Sequence, residues 1–580
     1  MARFNNPQPR QTPTGPIRTV QAINNLGQNL PREAPTTITH EGGAGWLRDA
    51  RSELFTLAVL NMHNADSFYE SGKSKDDRFV KLIRKLAVED FTWTFNMLRW
   101  LRGPEGNLRT ASLVGAAEAV KARLDAKMRG ATGSNVPNPV DAGEMADVAT
   151  NRRLIDAVLQ RADEPGEFLS YWTTNYGKNL PMPVKRGVAD AVHRLYTERG
   201  FLRYDSDSRG FRFGDVIDLV HPKTDITWQN HLWNHAINVR HGRGSEAPAL
   251  LYATHSRATI NSMSARERHE LARLAIRDGL DHSVYKRAMA GQWEWLLSSL
   301  GDTTGTENPV SKLDQWKLVL PQLGIFALAR NLRNLEQAGI GNDQTFVQLI
   351  NERLSDPEEI AKSRMMPFRW WQSYQAANSH LFSQGLENAV NLSLRNIPEL
   401  PGKSLVLVDT SASMTNGLFA KNSTMTPVQA AALFGVALTV RNPGNVHLIG
   451  FASGEFQHTV MGGSSVLKET ERFTNRVGEV GHGTDIHGAI HRTFRKGHHD
   501  RVFIISDMQT IGGYYGSNVD QLVPRTVPVY GFNLGGYGAS AMPLGSGNRY
   551  ELGGLTDATF KMVKYLERGE NASWPWDLTD

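Results

Sequence analysis

The stretch SLVLVDTSAS at residues 404–413 decides the fold of the last third of this chain. Its first part, SLVLV, is an apolar run that leads straight into Asp409. A second run, RVFIIS at 501–506, leads into Asp507. Short apolar runs rich in Val and Ile read as buried strands of a parallel sheet. In such open sheets, ligand-binding groups gather in the crevice beyond the carboxyl ends of the strands. Asp409 and Asp507 belong there, with Ser411 and Ser413 just past the first strand. Thr484 joins them from Gly481-His-Gly-Thr484-Asp485, a glycine-rich loop that opens a helix. Two carboxylates and three hydroxyls make an all-oxygen site, which suits a hard divalent cation such as Mg2+.

Around this site the pattern alternates between strand and helix. It predicts strands at 404–409, 446–452, 457–461, 501–506 and 527–533, and helices at 426–440, 465–477, 485–496 and 557–568. Alternation of this kind implies a doubly wound α/β domain. PELPGK at 398–403 marks its start, so the domain is assigned to 399–580. Before it, the 3.6-residue period dominates. Helices are predicted at 46–62, 79–87, 90–102, 112–123, 151–161, 184–199, 227–240, 265–280, 285–300, 312–336, 343–354 and 367–382. In 184–199, Val188, Val192, Leu195 and Tyr196 share one helix face. Residues 124–150 read as an inserted Gly/Ala/Pro/Asn loop. A dozen helices with short links point to stacked antiparallel pairs, an α-solenoid, over 31–398. Residues 1–30, rich in Pro, Gln, Asn and Thr, read as a flexible tail.

At 580 residues the chain exceeds what one core supports. It has no cysteine, which excludes disulfides, thiolate metal sites and cysteine nucleophiles. No apolar run approaches the roughly 18 residues of a membrane span. The segment MARFNNPQPRQTPTGP lacks the apolar core of a secretory signal, so a cytoplasmic protein is expected. The net charge of +5 is uneven. Residues 401–580 hold 15 basic and 15 acidic side chains, whereas the first 400 hold 49 and 44. The basic excess of the helical region hints at a polyanionic partner.

Catalysis is not expected at the carboxylate site. Aspartyl phosphatases of the haloacid dehalogenase type need a second Asp two residues after the first, where Ser411 stands. No G-x-S-x-G nucleophile elbow occurs in this domain. Hydroxyls near a metal do not supply a general base. His487 and His491 are four apart on a predicted helix, but Gly488 stands where a metalloprotease string has Glu. Both are expected at the surface.

The D-x-S-x-S string, the later Thr and the strand-end Asp together resemble a von Willebrand factor type A domain with a metal-ion-dependent adhesion site. That resemblance implies Asp409, Ser411, Ser413, Thr484 and Asp507 around one cation, some directly and some through water. An open coordination position would accept a partner's carboxylate. Further strings precede it: His40-Glu41-Gly42-Gly43, Leu219-Val-His221-Pro222-Lys223, PQLGIFALARNLRNL at 321–335, Met366-Pro367-Phe368 and Gly385-Leu386-Glu387. In this order, ahead of such a domain, they resemble the TROVE module of the Ro ribonucleoprotein family, over about 35–575. The resemblance implies HEAT-like helix pairs closed into a monomeric ring sealed by the A domain. It implies small noncoding Y-like RNA bound outside and single-stranded 3′ ends of misfolded RNA bound in the hole. It also implies an RNA tether to polynucleotide phosphorylase.

The densest basic stretch lies at 185–223 and includes Lys185, Arg186, Arg203, Arg209, Arg212, His221 and Lys223. Lys and Arg supply phosphate contacts and salt dependence, and His and Arg also stack on unpaired bases. His221 matches the family's RNA-contacting position before a Pro-Lys pair, although Val220 stands where the pattern is more polar. Asp205 and Asp207 interrupt the run. Arg240 and Arg243 form a second patch, suited to the ring interior. Trp228, Trp233, Trp370 and Trp371 are expected in the core. The reading from a different class is a metal-dependent protein-adhesion adaptor whose helical module binds protein.

Overall fold

The computed structural model describes residues 35–60, 67–128, 150–244, 246–363, 399–416, 425–461, 463–512, 518–544 and 548–555, with shorter pieces between 365 and 397 and between 559 and 577. The predicted tail at 1–30 lies outside the described residues, and so does most of the predicted helix at 557–568.

Helix dominates from Ala50 to Ser393, with local packing throughout. Gly72–Glu89 packs on Arg109–Met128, Asn151–Val158 on Met182–Leu195, Phe213–Val220 on Thr227–Arg240, and Tyr252–Ser262 on Val284–Met289. Short polar residues set the helix limits by satisfying the orphan N–H groups of the first turn. Asp90 closes Gly72–Glu89 and also caps Phe91–Arg102, accepting from Trp93 N at 3.2 Å. Ser264 and Glu267 form a reciprocal capping box on Ala265–Asp278.

Three predicted helices are broken in the structure, the first of them 184–199, which divides at Tyr196 and Thr197 into Met182–Leu195 and Glu198–Tyr204. The span 312–336 divides into Lys312–Val319 and Ile325–Gln337, because Pro321 lacks an N–H and Gly324 starts the next helix. The span 285–300 divides at Ala290 and Gly291, both at positive φ. The predicted loop at 124–150 starts too early: helix Arg109–Met128 runs through its first residues, and 129–149 lie outside the described residues.

Among the described residues nine strands are found, in chain order β1 (Thr37–Ile38), β2 (Ala44–Leu47), β3 (Ser404–Asp409), β4 (Val446–Phe451), β5 (Glu455–Gln457), β6 (Arg501–Ser506), β7 (Val529–Asn533), β8 (Ala539–Ser540) and β9 (Arg549–Gly553). The main sheet has the order β5-β4-β3-β6-β7-β9 and is parallel except at β5. Strand side chains alternate between faces. Val406, Val408, Phe503 and Ile505 share one core with helices Pro427–Arg441 and Val466–Thr474. Leu405, Leu407, Val502 and Ile504 share another with helix Ile486–Thr493. A sheet covered by helices on both faces is consistent with a von Willebrand factor A-type domain.

The sheet region touches the helical region at both ends. The core on its first face continues without a break into Trp370, Leu386, Ala389 and Val390 of the last helices. At the other end β2 pairs with β8, placing Trp46 opposite Ser540. Helix Ala50–Leu60 packs on β9. Arg48 and Glu551, almost fully buried, pair side by side, with Arg48 Nε 2.9 Å from Glu551 Oε2. Trp574 and Trp576 stack on each other and pack edge-on against Phe55 and Trp93. The predicted helix start at 46 is therefore corrected: residues 44–47 are strand, and the helix begins at Ala50.

Candidate metal centre and basic surface

β3 and β6 are neighbours in parallel register, with Val408 opposite Ile505. Their carboxyl ends bring Asp409 and Asp507 together, both buried. Asp409 Oδ1 accepts from Ser411 N at 2.9 Å, and its other oxygen accepts from Ser506 Oγ. Ser411 Oγ and Ser413 Oγ lie 3.2 Å apart. Asp507 Oδ1 accepts from Gln509 N at 3.1 Å. The loop bearing Thr484 is tied to the one after Asp507, where Ile511 N donates to Thr484 O at 2.9 Å. The structure thus gathers all five predicted residues in one crevice.

The centre also has the electrostatics of a cation site. Burial, which disfavours ionised acids, pushes Asp409 up to about 6. Burial and then the charge of Asp409 push Asp507 up to about 7. Thr484 Oγ1 and Asp507 Oδ2 are buried with no hydrogen-bond partner among the described residues. The Ser413 hydroxyl faces Asp507 and eases its charge, but no bond of normal geometry reaches Oδ2. Orphaned buried oxygens beside two mutually repelling carboxylates fit a hard divalent ion, which would satisfy and neutralise them at once. Asp409, Ser411, Ser413, Thr484 and Asp507 would hold it. The sequence reading did not find Ser506, or Glu41 and Tyr69, which approach this centre from the N-terminal segment.

Other site expectations are redistributed. His487 is not at the surface: it is buried, and burial lowers its pKa from the usual histidine value, whereas His491 is exposed. Trp233, Trp370 and Trp371 are core, but Trp228 is 40% exposed.

The basic candidates fall into three groups. Arg209 pairs with Glu167 at 2.8 Å and with Asp163 at 3.2 Å. Arg212 is clamped by Asp205 and by Asp207, the latter at 2.6 Å. Arg240 pairs with Asp215 at 2.7 Å. These three support the fold between helices, and the acids that seemed to interrupt the basic run are their partners. Among the described residues no carboxylate pairs with Lys185, Arg186, Arg203, Lys223 or Arg243.

Gln229 Nε2 donates to His193 O at 2.9 Å, so Thr227–Arg240 begins where Met182–Leu195 ends. His221, Lys223 and the exposed Trp228 belong to this end. Lys185 and Arg186 lie roughly 10–12 Å further along their helix, and Arg243 lies beyond the far end of Thr227–Arg240. His221 ends helix Phe213–Val220 in the left-handed region, at φ 51° and ψ 56°. Glycine usually takes that position.

The TROVE domain family model matches residues 293–380, a stretch that holds none of the basic or cation-site candidates above. The RNA-binding protein RO60 of Deinococcus radiodurans is 30% identical over 436 residues, covering 71% of this chain and 72% of that protein. The chain belongs to the Ro family. The crystal structure of Deinococcus radiodurans Ro (RSR) covers 90% of this Ro-family chain and all (100%) of its own, with a TM-score of 0.58 and 18% identity. At that identity the structural likeness carries the fold alone. Among the described residues, no helix of this Ro-family member is long and apolar enough to cross a membrane.

Proposed function

We propose that this chain is an RNA-binding scaffold of noncoding-RNA quality control in the cytoplasm. Its kinship with a protein named for RNA binding carries the reading. The helical region acts as a monomeric ring of HEAT-like pairs that the sheet region closes. In support, the sheet region packs on both the first helix and the last helices. Small Y-like RNA binds on the outer surface, where Lys185, Arg186, Arg203 and Lys223 are free to meet phosphates. His221 and Trp228 offer stacking faces there, and strained backbone at a non-glycine residue such as His221 is concentrated at functional sites. Single-stranded 3′ ends enter the hole, toward Arg243, and an RNA tether can bring polynucleotide phosphorylase to the ring.

Replacing Lys185, Arg186 and Lys223 together by Ala should weaken binding of a structured small RNA. The slope of log affinity against log salt should fall by about one for each phosphate that is no longer neutralised. Circular dichroism should stay unchanged, since none of the three pairs with an acid. Unaltered affinity and slope would refute the outer-surface assignment. The centre at Asp409 and Asp507 serves structure and not catalysis. RNA incubated with the protein and Mg2+ should remain full length.

A further inference from the structure

The open side of the cation centre is covered by the chain itself. Residues Thr39–Gly43 form a tight turn, with Gly42 N donating to Thr39 O at 3.0 Å and Thr39 N to Gly43 O at 2.9 Å. Gly42 sits at φ 84°, a conformation that L side chains rarely adopt. Gly43 runs so close to the loop after β6 that an added Cβ would lie 2.4 Å from Thr510 O. The turn is fastened to that loop at three points. Thr39 Oγ1 donates to Thr510 O at 2.6 Å, His40 N to Gln509 Oε1 at 2.8 Å, and Gly43 N to Thr510 O at 3.0 Å. Gln509 and Thr510 stand two and three residues after Asp507, and Thr510 Oγ1 donates to Thr484 O at 3.1 Å.

This turn carries Glu41 to the centre. Its carboxylate accepts the hydroxyl of Tyr69. Tyr69 in turn lies beside Ser413 and near enough to Asp507 for that charge to oppose its ionisation. The Glu41 charge also raises the pKa of both Asp409 and Asp507. His40 stacks on the Tyr69 ring at 5.1 Å with an interplanar angle of 3°, fixing it in place. Among the described residues no three acids come close enough to hold an ion together, so Glu41 acts from beyond direct contact.

We propose that Glu41, with Tyr69, is an outer-shell partner of the cation, and that the ion latches the N-terminal turn onto the sheet. The position open to a partner's carboxylate is then answered from within the chain. Glu41 would hold a water bound to the ion, and the Tyr69 hydroxyl, which donates to its carboxylate, would orient it. Nothing else on the turn carries a negative charge, and its remaining bonds to the loop are backbone, amide and hydroxyl contacts between neutral groups. The inference rests on the reading of Asp409, Ser411, Ser413, Thr484 and Asp507 as a cation site.

The test is Mg2+ titration by calorimetry on the full chain, together with hydrogen exchange of residues 37–47. Outer-shell partners of metals contribute 10- to 100-fold in affinity. Glu41→Gln should therefore weaken Mg2+ binding by about that factor, and Tyr69→Phe should weaken it in the same direction. Mg2+ should protect 37–47 from exchange in the unaltered chain and not in Glu41→Gln. Equal Mg2+ affinity in Glu41→Gln, or protection of 37–47 that ignores Mg2+, would overturn the latch. Asp507→Ala separates the two readings. If it abolishes binding while Glu41→Gln does not change it, the site stands and the latch falls. If Asp507→Ala still binds Mg2+, or the unaltered chain binds none, both fall.

Discussion

Arg48→Ala is expected to loosen the join between the first helix and the sheet by about 3–5 kcal/mol, the usual penalty for removing one partner of a buried ion pair. The Arg48 and Glu551 side chains are only 1% and 4% exposed. Arg48 also donates to Tyr537 O, and Asn533 donates to Glu551 Oε1. Truncation leaves the Glu551 carboxylate buried with one neutral donor. Hydrogen exchange across Ala50–Leu60 and β9 should accelerate by two to three orders of magnitude, because roughly 1.4 kcal/mol corresponds to tenfold in an equilibrium. Replacing both residues together, as Arg48→Met with Glu551→Leu, should recover most of the loss, since two apolar side chains leave no unpaired charge. Unchanged exchange in Arg48→Ala would mean that the pair does not hold the two regions together.

Asp507→Ala is expected to abolish stabilisation by Mg2+. A ligand bound only by the folded state adds about 2.7 kcal/mol at one hundred times its dissociation constant. Thermal unfolding of the unaltered chain should therefore shift upward with Mg2+, and that of Asp507→Ala should not move. Without Mg2+ the variant should be no less stable than the parent at pH 8, because it relieves two buried carboxylates of their mutual repulsion. A Mg2+-dependent shift that survives in Asp507→Ala would remove this residue from the site.

The central strands were legible because burial on both faces leaves a continuous apolar run. The spans predicted at 404–409 and 501–506 coincide with β3 and β6. Edge strands were not. β9 is RYELG, short and largely polar, and carries no run to read. The strand predicted at 457–461 is instead β5 at 455–457, paired antiparallel on the sheet's outer edge. β2 looked like the first turn of a helix because Trp46 and Leu47 fit the apolar pattern of 46–62. Its strand form depends on β8, nearly five hundred residues away, which no local period reveals.

The clustering of the five residues proposed to hold a cation was legible for a related reason, since each follows a strand or opens a helix. Glu41 was visible only as part of a family string. Its approach to Asp507 depends on how the chain's two ends meet. Charge alone also misled at Arg209 and Arg212. Both belong to a basic run, yet neighbouring acids, Asp163, Glu167, Asp205 and Asp207, neutralise them in the fold.

We propose that the helical region binds RNA through cations that no carboxylate pairs among the described residues. The most direct measurement is a salt titration of binding to a structured RNA with a single-stranded 3′ tail, at fixed Mg2+. Each phosphate neutralised contributes a slope of about −0.7 on single strands and about −0.9 on duplex, so four neutralised phosphates predict a total slope of roughly −3. A slope near zero, or binding lost on Mg2+ chelation at constant ionic strength, would contradict the account and favour a metal-dependent protein adaptor.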